Sequence, residues 1–191
     1  GGFEGKVTYA ITYQELPPEA KSMQSMLPKE MIIEARGPKL RLEQSILGGA
    51  QVVVTDLQAK EVHILMDMMG QKIHMEQPFS EEDMDAKPTV ELLGGKQKVA
   101  GYPCKQAKVT AQDGSTTTVW YTEKLGPLDN EYRDLPGLVL EYSSNANGMA
   151  MTMTASAVDT APVPEARFAI PEGYRTMTEQ EMQQMMMGGG K

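Results

Sequence analysis

The chain has 191 residues, with 26 Asp and Glu against 18 Lys and Arg, and a formal charge of −8. That acidic balance, without any Lys/Arg cluster, speaks against nucleic acid and anionic membrane faces as partners. A hydrophobic content of 40% at this length argues for a folded chain with a sizeable core, and no run approaches the roughly 18 apolar residues of a membrane helix.

Only 6% of residues are aromatic, so the core must lean on aliphatics and on the 16 Met. Cys104 is alone, which excludes an intrachain disulfide, and its place inside a strand-like run reads as a buried, inert thiol. The chain starts at Gly1-Gly2 without Met, which reads as a trimmed start from which any export signal has been removed.

From residue 3, Phe3, Gly5, Val7, Tyr9, Ile11 and Tyr13 alternate with polar residues, which predicts a long strand with one buried face. Pro17-Pro18 ends it. Met23, Met26 and Leu27 then fall at helical spacing before Pro28, predicting a short amphipathic helix. Strands follow over 31–36 and 40–45 around Gly37-Pro38. After a turn at Gly48-Gly49 come strands over 51–55 and 61–68. A hairpin turn at Met69-Gly70 pairs Met66 with Ile73 and Ile64 with Met75 on an apolar face. The same register sets Asp67 opposite Lys72 and His63 opposite Glu76 on a wet one.

Ser80 and Asp83 mark a helix start that carries Met84, and Gly94-Gly95 opens the stretch that follows. Residues 99–142 hold the single Trp and the single Cys. A two-residue turn at Asp113-Gly114 would pair Ala107 with Trp120 and Val109 with Thr118. Residues 126–136 read as a charged loop. Leu135-Pro136-Gly137-Leu138 suits a type II turn with Gly third. A turn at Asn147-Gly148 pairs Tyr142 with Met153, Leu140 with Ala155 and Leu138 with Ala157. Phe168 to Ile170 predicts a last short strand. Thr178 and Glu181 open a C-terminal helix lined by Met182, Met185 and Met186, ahead of a Gly-rich tail that should fray.

The sum is a single α+β domain over 1–191, with the C-terminal helix and tail over 176–191. It is a curved, open half-barrel of roughly ten antiparallel strands, with short Met-bearing helices on the concave face. The residues expected to line that face are Met23, Met26, Ile64, Met66, Ile73, Met75, Met84, Trp120, Leu140, Tyr142, Met153, Met182 and Met186. Met suits either core filling or an adaptable apolar lining.

The motifs VAGYPCKQA at 99–107, Asp113-Gly114, VWYTE at 119–123 and LPGL at 135–138 occur in an order that resembles the DUF4412 family. The ends, FEGKVTY at 3–9 and FAIPEGY at 168–174, are similar to that family's ends. Asp134 stands where the related GLPGLI proteins would carry Gly, which favours DUF4412. The resemblance implies an exported envelope protein and a fold like the lipoprotein carriers LolA, LolB and LppX. It brings no catalytic motif and no cofactor.

His63, His74 and Glu76 are the weak candidates for a metal site, and the expected reading of their face is solvated. No nucleophile elbow or phosphate loop is present. The expectation is therefore a non-catalytic envelope protein that carries a lipid or other apolar ligand. The alternatives are a filled interaction module contacting an envelope partner through the loop at 126–136, and, without motif support, a metal protein or enzyme.

Overall fold

The computed structural model describes residues 2–46, 49–81, 87–128, 132–146 and 148–188. Among these residues, twelve strands form one open sheet. In chain order they are β1 (Gly5–Glu15), β2 (Glu30–Arg36), β3 (Lys39–Ile46), β4 (Gly49–Asp56), β5 (Glu61–Met68) and β6 (Gln71–Gln77), followed by β7 (Thr89–Val99), β8 (Tyr102–Thr110), β9 (Thr116–Thr122), β10 (Leu138–Ala146), β11 (Met149–Asp159) and β12 (Arg175–Thr176). Their spatial order is β12-β6-β5-β4-β3-β2-β1-β11-β10-β9-β8-β7. Neighbours are antiparallel except β12, which runs parallel to β6. β1 sits mid-sheet between β2 and β11.

Two strands separate this sheet from the ten expected. β7 spans the Gly94-Gly95 pair expected to precede the next strand: the register against β8 shifts between Leu92 and Lys96, so the glycines lie in a bulge of an edge strand. The chain reverses instead at Ala100-Gly101, both with positive φ. β12 comes from the C-terminal segment, where Phe168 belongs to a 3₁₀ turn (Glu165–Phe168) in place of the expected strand.

Two turns show how local chemistry sets register. At Met69-Gly70, φ values of 54° and 84° make the two-residue primed turn that fits strand twist, and every expected β5–β6 pair forms. At Asp113-Gly114 the expected pairing slips by one residue. The Gly114 amide bonds to the Ala111 carbonyl and the Ala111 amide to the Ser115 carbonyl, while the Ser115 amide bonds to the Asp113 side chain. The loop is therefore three residues long, with Gly114 (φ 87°) in the left-handed bulge position. Ala107 faces Val119, and Trp120 pairs with Gln106 on the opposite face. Gly137 is needed for space, not for a left-handed turn: a Cβ there would lie 1.9 Å from the Thr122 carbonyl oxygen.

The helices are small. α1 (Pro18–Lys21) and the 3₁₀ turn Gln24–Met26 bury nothing, and Met23 and Met26 are 45% and 56% exposed. α2 (Glu179–Gly188) is capped by the Thr178 hydroxyl, which accepts from the Glu181 amide, and among its described side chains none is fully buried. Among the described residues, then, the helices do not cover the sheet as expected. Among those residues, no helix is long and apolar enough to cross a membrane. The helix expected after Ser80 falls mostly on residues outside those described, as do Met84, Asn147 and Gly48.

Cover comes from irregular segments. On one face of β1–β4, the loop after β9 brings in Leu125 and Leu128, joining a cluster built on Val7, Tyr9, Met31, Ala35, Leu138 and Leu140. On the opposite face, a strap over residues 160–178 crosses β2–β6. Val163 and Phe168 pack there on Val52, Val54 and Leu65.

Candidate functional site

Alternation along the strands puts Tyr9, Met31, Ile33, Leu40, Leu42, Val53 and Thr55 on one face, because successive pairs Tyr9–Met31, Ile33–Leu42 and Leu42–Val53 are direct cross-strand neighbours. Leu128, Tyr132, Val139 and Tyr142 face them across a cleft of about 190 Å³. The lining is mainly apolar; its polar groups are Thr55 and the tyrosine hydroxyls.

Aromatic packing shapes the cleft. Tyr9 and Tyr142 meet edge to face with ring centres 5.9 Å apart, and Tyr132 and Tyr142 at 5.7 Å. The Tyr9 hydroxyl donates to the Val139 carbonyl at 2.7 Å, tying β1 to β10 across the cleft. Burial pushes this phenol far above its ordinary range, followed by the nearby tyrosines, so it stays a neutral donor. Cys104 is buried, and burial raises its thiol as well.

Of the residues expected to line a cavity, Tyr142 lies on the cleft wall. Met153 is its direct partner on β11, and Leu140 is fully buried in the adjoining core. Ile64, Met66, Ile73 and Met75 share the cleft's sheet face but sit farther toward the β6 edge. Trp120 projects from the opposite face, its ring against Gly95. Met23 and Met26 point to solvent, Met182 is half-buried, and Met84 and the Met186 side chain lie outside the described residues. Tyr9, Ile33, Leu42 and Val53 were readable from strand alternation. Leu128 and Tyr132 were not, because they come from a loop.

The face carrying His63, His74 and Glu76 is not an open, solvated one. His74 is 6% exposed under the strap. His63 Nδ1 lies 2.9 Å from His74 Nε2 and 3.8 Å from a Glu76 oxygen. His63 Nε2 meets Glu61 at 3.1 Å, and His74 Nδ1 meets the Thr176 hydroxyl at 3.0 Å. Burial first, then His63, holds His74 below its ordinary imidazole range, against the pull of Glu76. In the loop expected to offer a charged docking surface, Leu128 and Leu135 are buried and Asp134 is exposed, while residues 129–131 lie outside those described.

The fold has solved counterparts. An uncharacterised conserved protein from Thermus thermophilus matches with a TM-score of 0.55 at 11% identity, covering 92% of this chain and 91% of that one. PNGF-II matches with a TM-score of 0.54 at 15% identity, covering 97% of this chain but 32% of PNGF-II, so this chain spans about a third of that protein's length. Mycobacterium tuberculosis lipoprotein LppX superposes at a TM-score of 0.45 with 10% identity, covering 84% and 89%, too distantly to bear on function. No curated protein sequence matches the chain. The family described as "Domain of unknown function (DUF4412)" matches residues 3–137, which include β1, the cleft strands β2–β4 and the loop that covers them, and the chain belongs to that family.

Proposed function

We propose that the protein is a non-catalytic binding protein of the cell envelope, its sheet a half-barrel whose cleft takes up the apolar part of a lipid-like ligand. The observation that carries this reading is the apolar space of about 190 Å³ between β1–β4 and the loop residues Leu128 and Tyr132. An apolar cavity of about 150 Å³ suffices for benzene, while ordinary ligand pockets run to about 300–1,000 Å³. The ligand portion is accordingly one short chain or ring, with the rest of the molecule outside, and Thr55 and the tyrosine hydroxyls orient its polar end. The envelope location rests on the family resemblance.

Native mass spectrometry and displacement of a fluorescent fatty acid by dodecanoate test this. The expected result is a one-to-one adduct that a cleft-filling Leu42→Trp variant weakens at least about tenfold, since overpacking removes the space. A folded Leu42→Trp variant that binds dodecanoate as the parent does, or a parent that does not bind it, sinks the reading.

A second reading, an interaction module with an essentially filled core, is favoured by the small cleft and by Leu92, 62% exposed on edge strand β7. It predicts an envelope partner whose capture is lost in Leu92→Lys and kept in Leu42→Trp.

A further inference from the structure

The hairpin β5–β6 carries a second cluster, remote from the cleft and on the other face of the sheet. His63 and Glu76 are direct cross-strand partners, and His74 stands diagonally between them as the partner of Leu65. The donor atoms of His63, His74 and Glu76 lie within 4.8 Å of one another. We propose that these three side chains bind one divalent first-row transition-metal ion of the zinc type, through His63 Nδ1, His74 Nε2 and a Glu76 oxygen.

The hydrogen bonds outside the cluster point the same way. An ionised carboxylate only accepts, so the 3.1 Å contact with Glu61 places the His63 proton on Nε2 and leaves Nδ1 as a bare lone pair. On the far side, His74 Nδ1 meets the Thr176 hydroxyl. When it donates there, His74 Nε2 is also bare, and two lone pairs face each other at 2.9 Å. A cation between them relieves that arrangement, as does a turn of the Thr176 hydroxyl to donate to His74 Nδ1, which moves the His74 proton to Nε2 and makes the 2.9 Å contact an ordinary hydrogen bond. A single shared proton is the smallest such cation, but it leaves Glu76 without a role. A metal ion uses all three donors. Ligand atoms about 2.0–2.2 Å from a tetrahedral centre stand about 3.3 Å apart, so the imidazoles need to part by only a few tenths of an ångström.

The surroundings fit a metal as well. The Glu61 carboxylate behind His63 is the kind of partner that fixes tautomer and ring orientation at such sites, and the Thr176 hydroxyl behind His74 is able to accept from its Nδ1. Two imidazoles with one carboxylate suit zinc and leave a fourth position open. His74 is buried while the Glu76 side chain is 70% exposed, which provides both a rigid ligand and an entry path. The neighbouring cation is turned away: the Lys72 ammonium sits 5.9 Å over the Tyr174 ring. Because Thr176 bonds to His74 and the Met177 amide to the His74 carbonyl, a bound ion would also pin β12 and the strap to the sheet.

The test uses the full chain, stripped of metal by a chelator and titrated with Co(II), then with Zn(II). The expected result is one saturating equivalent of Co(II), with the intense visible bands of a four-coordinate ion, displaced by Zn(II). Glu61→Gln should weaken binding by about 10–100-fold, Glu76→Gln by at least about tenfold, and His63→Gln should abolish it. Glu76 is exposed, so its variant carries the test even if a histidine variant fails to fold. Absence of a saturable one-equivalent uptake at micromolar metal overturns the proposal. So does uptake, or a Co(II) spectrum, that is the same in Glu76→Gln as in the parent. Neither result depends on the cleft, so failure here is separate from failure of the proposed function.

Discussion

The same strands present two opposite kinds of interior. On the cleft face of β2–β4, Ile33, Leu42 and Val53 look into space, and the cover above them, Leu128 and Tyr132, leaves that space partly unfilled. On the strap face, Glu34, Arg41 and Glu43 lie between those residues in sequence, and the cover is closely engaged. Glu34, 5% exposed, accepts from two Arg167 nitrogens at 3.1–3.3 Å, and Arg36 donates to the Val163 carbonyl at 2.9 Å. Alternation alone assigns one dry and one wet face. Here both are covered, the apolar one loosely and the polar one through specific partners. Polar groups demand named partners when buried, whereas apolar groups tolerate a gap. The strap is therefore built as a lock and the cleft as a receptacle.

Three experiments break or sharpen that division. The largest effect is expected from Phe168→Ala, which empties the centre of the strap cluster. It should cost about 3–5 kcal/mol, read by urea denaturation, with faster hydrogen exchange along β6 and at the Met177 amide. If cleft binding is lost while β6 stays protected, the two faces do not work separately. Tyr9→Phe strikes the other face. It leaves the buried Val139 carbonyl without its phenol donor, at about 1–2 kcal/mol, and strap protection should stay as in the parent.

The smallest effect is a pH dependence. His74 is held below its ordinary range when folded, so unfolding takes up a proton below about pH 6.5. The contribution of neutral His74 is intact above that value and is lost as pH falls through its folded-state value. In the metal-free chain the urea midpoint should drop between about pH 7.5 and 5.5, and a His74→Gln variant should show a shallower slope. An equal slope in both would mean that the buried imidazole is not linked to folding.

How far the sequence carried the reading follows the range of the forces involved. The Met69-Gly70 hairpin was legible to the residue, because its register depends on two turn residues and two adjacent strands. Asp113-Gly114 misled by one position: the Asp113 side chain, bonded to Ser115, builds a longer loop from the same dipeptide. Gly94-Gly95 has the composition of a turn, and only pairing with β8 makes it a bulge. The walls of the cleft on β1–β4 were present in the alternation, but its roof was not. Leu128 and Tyr132 sit in an aperiodic loop, and nothing local says which strands they meet. The strap was hidden for the same reason. Its grip depends on Arg167 finding Glu34 and on Thr176 finding His74, both more than a hundred positions away.

The mid-sheet position of β1 has a consequence for how the molecule comes into being. Val7 is flanked by Ile33 on one side and Val158 on the other. β1 must wait until β11, far later in the chain, has been made before its second edge is satisfied. Until then β1 through β6 can form a sheet whose growing edge carries unpaired amides beside Val7 and Tyr9, the kind of edge that recruits foreign strands. Closing it requires a contact of very high sequence separation, which slows folding and lengthens exposure. The seam between β1 and β11 is thus the expected slow step of assembly, and the stage at which a chaperone would matter most.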